Sequence, residues 1–195
     1  VLPSGALADG DEVALATPID VDLDEVERLI GDGRAARDPA ALAAADALHR
    51  GEFLAGLWFR DADPFEHWRR DTAEYLTRRH ARLLEGWCGV HVARGEFAEA
   101  IEVAGRRLAM DPLHEAAHQQ LMLLHAWRGD RAAAARQYAT CARVLDEELG
   151  VAPLPRTTAL DRAIRAGTVE PPTRTAPDPA PAPVRELVEV RSVAP

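Results

Sequence analysis

The sequence contains no lysine: all 23 of its basic residues are arginine, and alanine is very common, a bias that points to a GC-rich coding sequence. Aromatic residues make up only 5% of the 195 residues, against 47% hydrophobic overall. That combination disfavours sheets, which draw on β-branched and aromatic side chains, and favours close-packed helices, which alanine suits best. There are two cysteines, Cys88 and Cys141, too few for a disulfide framework and without metal-ligand spacing. They read as reduced, buried structural thiols of a cytoplasmic protein. No apolar run approaches the roughly 18 residues that a membrane span needs. Nor does the start of the chain show a basic segment followed by an apolar stretch, the pattern of a signal peptide.

Positive charge is also in short supply. The formal net charge is −9. Residues 1–30 carry Asp9, Asp11, Glu12, Asp20, Asp22, Asp24, Glu25 and Glu27 against Arg28 alone, which is −7 of the total. Non-specific affinity for nucleic acid comes from cations that neutralise phosphates. Direct DNA binding by this chain is therefore not expected. The chain opens on Val1 rather than Met, which suggests a piece of a longer protein.

Periodicity predicts helices nearly throughout. An extended opening, read as a hairpin strand in "EVALATPIDV", precedes "DLDEVERLI", where Asp22 or Asp24 caps a helix and Leu23, Val26, Leu29 and Ile30 form its apolar stripe. That helix is expected to end near Arg37, before Pro39 starts a second helix reaching Gly51. A connector with Phe53, Leu54, Leu57, Trp58 and Phe59 follows, then a long helix with Asp63 as its cap and Pro64 in its first turn, running to Arg94. Four further helices are bounded by Gly95, by "DP" at 111–112, by Gly129 and by Gly150. From Gly167 the prolines at 171, 172, 177, 179, 181 and 183 mark a linker, and removing residues 168–195 is expected to leave stability nearly unchanged. The final "VRELVEVRSV" alternates like a strand.

One internal echo organises the second half. "RGEFAEA" at 94–100 returns as "RGDRAAA" at 128–134, an interval of 34 residues. This is the period of tetratricopeptide repeats, in which each helix pair has an apolar face that only a stacked neighbour can cover. In this register Leu84 aligns with His118, Trp87 with Leu121, Cys88 with Met122 and His91 with His125. Gly95 aligns with Gly129, Ala98 with Ala132 and Ala100 with Ala134. The expected fold is all-α: stacked antiparallel helix pairs in a tetratricopeptide-like right-handed superhelix over residues 19–166. An extended segment (1–18) precedes it and a Pro-rich tail (167–195) follows.

A competing signal lies between the two copies. "HEAAH" at 114–118 matches the H-E-x-x-H pattern of zinc peptidases, in which two histidines four apart hold the metal and the glutamate activates water. The extension that would supply a third ligand fails, since positions 121 and 124 are Leu and His125 falls one residue late. The repeat register already accounts for His118 and His125 as packing positions. On this reading Glu115 has no chemical task, and no metal or other cofactor is expected. The sequence also lacks a Gly-rich phosphate loop and a G-x-S-x-G nucleophile turn.

The stretch from Asp63 to Leu160 resembles the bacterial transcriptional activator domain of SARP-type (antibiotic regulatory protein) activators. The resemblance rests on the Phe65–Trp68 pair, the turn at 94–97, "DPLHEAAHQQLM", Gly129, Tyr138 and above all "EELGVAPLP" at 147–155. "IDVDLDEVERLI" and "LHRGEFLAGL" look like the family's opening helix and connector. The resemblance implies an all-helical regulatory module of secondary metabolism. It would act through self-association, contact with an RNA polymerase subunit, or coupling to other domains. A winged helix, of which residues 1–18 are at most the trailing edge, would bind DNA. It offers no catalytic residues. Arg69, Arg78, Arg79 and Arg82 on the long helix, or a groove lined by Arg82, Glu85, Gln119 and Leu123, are the candidate partner-binding residues. A solvated, ion-paired surface is the plainer reading of the same arginines. A generic tetratricopeptide adaptor for a peptide partner is the alternative function, and a zinc peptidase the remote one.

Overall fold

In the computed structural model, residues 6–9, 12–15, 22–30, 37–57, 59–60, 62 and 63–173 are described. Two strands, β1 (Ala6–Asp9) and β2 (Glu12–Leu15), pair antiparallel with Ala6 opposite Leu15. Seven helices follow among the described residues: α1 (Asp22–Ile30), α2 (Pro39–Ala47), α3 (Asp63–Arg94), α4 (Phe97–Met110), α5 (Glu115–Trp127), α6 (Arg131–Leu149) and α7 (Pro155–Ala166). The all-helical stack is the one expected.

Boundaries shift for local reasons. α1 ends at Ile30, and residues 31–36, where the sequence places its last turn, lie outside the described residues. α2 stops at Ala47 rather than Gly51, with Asp38 Oδ1 capping its start by accepting from the Ala40 amide at 3.1 Å. Asp63 is not a cap: it is the first residue of α3, behind Ala62, and Pro64 follows in the first turn, where a missing N–H costs nothing. The strand-like "VRELVEVRSV" lies outside the described residues.

α3 spans 32 residues, about 48 Å at the rise of an α-helix. Its first half receives the connector: Phe53 stands edge-on to Trp68 and Phe59 edge-on to Phe65. Its second half pairs with α4, and α5 pairs with α6. The two turns are built alike. At the end of α3 the Glu96 amide donates to His91 O at 2.9 Å around Gly95 (φ 75°); at the end of α5 the Asp130 amide donates to His125 O at 2.8 Å around Gly129 (φ 88°). This is the left-handed glycine stop of a helix, repeated at the 34-residue interval.

Most aligned positions share burial, although His91 is buried and its counterpart His125 only half-buried. Leu84 and His118, Trp87 and Leu121, and Cys88 and Met122 are all buried. Ala100 and Ala134 are buried where α4 and α6 approach their neighbours, whereas Ala98 and Ala132 both face solvent. One core cluster joins Leu42 and Ala45 of α2 to α3, α4 and the Leu121–Leu124 face of α5, with Val26 and Leu29 of α1 packed on it. A smaller one gathers Met122, Ala134 and Ile164, and Val169 packs against it. Val169 and the Thr168 amide, which donates to Ala163 O at 3.1 Å, thus pack on the helical body, inside the segment that the sequence reads as linker.

Candidate functional site

The arginines of α3 do not form one face. Arg69 is held by Glu66, its Nε and Nη2 donating at 3.2 and 3.1 Å, with Glu52 of the connector at 3.7 Å. Arg79 reaches across to α1, where Nη1 meets Glu27 Oε1 at 2.9 Å. Both side chains are about three-quarters covered (23% and 25% exposed) and tie α3 to its neighbours. Arg78 and Arg82 differ. Arg78 is 62% exposed and pairs with Glu74 at 3.3 Å, a surface bond of small worth. Arg82 is exposed and, among the described residues, its Nε makes only a long contact, 3.4 Å, to Arg78 O.

The second wall of the expected groove is also divided. Glu85 faces Arg107 of α4 at 3.7 Å. Gln119 is turned to α7, where its Nε2 donates to Thr157 Oγ1 at 2.6 Å, and Leu123 is half-buried on α5. Arg78 and Arg82 share a notch with Arg107, Met110 and Asp111, so the structure brings Arg107 to the two exposed arginines of α3. The sequence gives no sign of this. Arg106 and Arg107 are adjacent, yet Arg106 lies over the Trp87 ring at 5.4 Å and donates to Asp46 at 2.6 Å. Asp46 also takes a bond from His80 Nε2 at 2.7 Å, and His49 stacks on His80, so one α2 carboxylate fastens α3 and α4 together.

HEAAH proves to be architecture. His114 precedes α5 as its N-cap, Nδ1 accepting from the Ala117 amide at 3.1 Å. His118 is buried, and both ring nitrogens are engaged. Nε2 donates to Pro112 O at 2.9 Å, which leaves Nδ1 to accept from Gln137 Nε2 at 2.6 Å. Glu115 Oε1 accepts from the Leu154 amide at 2.7 Å and from the buried Thr157 hydroxyl. The lone pairs a metal would need are spent, and the glutamate has a structural task that the sequence did not reveal. "EELGVAPLP" explains the other half of that bond: Gly150 (φ 67°) stops α6, and the turn returns the chain so that Leu154 and Thr157 meet Glu115.

The two thiols are buried within this frame. Cys88 Sγ donates to Ala100 O at 3.5 Å and accepts from Gln120 at 3.2 Å. Burial pushes the thiols of Cys88 and Cys141 each up to about 11, the opposite of what a nucleophile requires.

A family model described as bacterial transcriptional activator domain matches residues 21–165. No curated protein matches the chain. The match takes in α1 to α7 and the Glu115–Thr157 staple. The chain therefore belongs to the bacterial transcriptional activator domain family, a family of regulatory domains of transcriptional activators and not of enzymes.

Proposed function

We infer that these residues form the regulatory, protein-contacting module of a SARP-type transcription activator, at work in the cytoplasm. The carrying observation is the family match over residues 21–165. In this reading a winged helix outside these residues binds DNA. The helix stack supplies self-association, contact with an RNA polymerase subunit, or coupling to other domains of the parent regulator. The charge supports this division: a chain of net −9 has no surplus of cations for a phosphate backbone. Among the helix arginines, Arg78 and Arg82 are the partner-facing pair, while Arg69 and Arg79 keep α3 in place.

The test compares this chain alone with the parent regulator in a promoter-binding assay and a reporter assay. The chain alone should not bind promoter DNA at ordinary salt, and the parent should bind and activate. Reversing Arg78 and Arg82 to Glu should lower activation and spare promoter affinity, since rim charges govern encounter and orientation. Tight promoter binding by the chain alone would sink this division of labour, and full activation with both charges reversed would leave the two arginines a solvated surface. A parent gene without a winged helix would favour a general tetratricopeptide adaptor.

A further inference from the structure

Where the middle of α3 meets the end of α4 and the α4–α5 turn, the surface is indented by a notch of about 380 Å³. That lies near the lower end of ligand-pocket sizes, room for one or two side chains. Three guanidinium groups line it, Arg78, Arg82 and Arg107, against the single carboxylate of Asp111, with Ala81 and Met110 as its apolar part. On a chain of net −9 this is a local reversal of sign.

We propose that the notch receives a carboxylate side chain from an acidic segment of a partner protein. This rests on the reading of the chain as a protein-contacting module and names the chemistry of the partner. Arg82 has no carboxylate partner among the described residues. Arg107 is mostly covered, with 15% of its side chain exposed. Its Nη2 stands 3.7 Å from Glu85, beyond hydrogen-bond range, and its Nε is buried without an acceptor among the described residues. No carboxylate among the described residues takes up the guanidinium at hydrogen-bond distance, so its notch-facing edge is open to an incoming acceptor. The Arg78–Glu74 pair is solvent-exposed and readily exchanged. A carboxylate is the fitting acceptor, since the planar guanidinium fork matches it two bonds at a time. A nucleic acid fits worse. Its continuous backbone of phosphates would lie across Glu74, Glu85 and Asp111, whereas one glutamate enters between them and its methylenes meet Ala81 and Met110.

The proposal is tested on the intact chain by fluorescence anisotropy with a labelled peptide of alternating Glu and Leu, its Gln–Leu counterpart and a short DNA duplex. The Glu–Leu peptide should bind and weaken with salt, and the Gln–Leu peptide should bind at least about tenfold more weakly. Arg82→Glu and Arg107→Met should each weaken binding of the Glu–Leu peptide by about tenfold or more, and Arg156→Glu, on α7, should not. Circular dichroism checks the fold. If Arg107→Met unfolds the chain, the exposed Arg82→Glu decides alone. No binding of the Glu–Leu peptide, equal binding of the Gln–Leu peptide, indifference to the arginine changes, or tighter binding of the duplex would each overturn the notch as a carboxylate site. Those outcomes leave activation by the parent regulator untouched, and a parent that fails to activate overturns the transcription reading whatever the peptide does.

Discussion

Glu115 joins two elements that are far apart in the sequence. Its Oε1 takes the Leu154 amide and the Thr157 hydroxyl, and Thr157 in turn accepts from Gln119. Replacing Glu115 by Ala leaves a buried hydroxyl and a backbone amide without their acceptor, and should cost about 1–3 kcal/mol in urea denaturation. Glu115→Gln keeps an oxygen in place and loses only the charge assistance, so its cost should stay below about 1 kcal/mol. Neither change should alter the metal content of the purified chain. A Glu115→Ala chain as stable as its parent would show that α7 is held by its apolar face alone, and zinc at one per chain would restore the peptidase reading.

At the scale of elements, α7 and the residues just after it close the stack. The second unit, α5 with α6, has a face that no third repeat covers, and Ile164 fills it against Met122 and Ala134. Val169 extends that contact beyond the helix end at Gly167 (φ 74°). A β-carbon at Gly167 would meet only the movable guanidinium of the exposed Arg131, so it is the left-handed backbone that constrains the position. A chain ending at Glu170 should melt like the full chain. One ending at Gly167 loses the Val169 packing and the Thr168 amide bond, about 1–2 kcal/mol, and should melt several degrees lower. Equal melting temperatures for the two truncations would place the edge of the body at Gly167.

Acid should act on the molecule at two distant places. His49, beside α2, is held below the ordinary histidine pKa by burial and by the neighbouring His80. His125, in α5, is held down by burial and by Arg128. In both cases the unfolded chain takes up the proton first as the pH falls, so folding loses stability through and below about pH 6.5, and above that value the two histidines contribute no pH dependence. Melting temperature should therefore drop on acidification from about pH 7.5 to 5.5. His125→Gln should drop less than the parent, and an equal or steeper drop would mean that other groups carry the acid sensitivity.

The sequence by itself determined the helices and the repeat. Gly95 and Gly129 are legible because a left-handed residue ending a helix selects glycine, and Ala100 and Ala134 because close helix contact leaves room for little more than a methyl group. These requirements are local or recur at a fixed interval, so a one-dimensional reading finds them. What HEAAH does, which arginines are spent and where Arg107 points were decided only by the tertiary structure. His114, Glu115 and His118 are matched to a motif by local spacing. His114 caps its own helix at Ala117, but the partners of Glu115 and His118 are Leu154, Thr157, Pro112 and Gln137, brought in by turns and by other helices. Arg78, Arg79 and Arg82 are alike in composition and near in sequence, and a rotation of one residue about the α3 axis separates an arginine bound to α1 from one open to solvent. A hydrogen bond is settled by whatever group the fold delivers within about 3 Å, and that delivery is a property of the packed chain rather than of any segment of it.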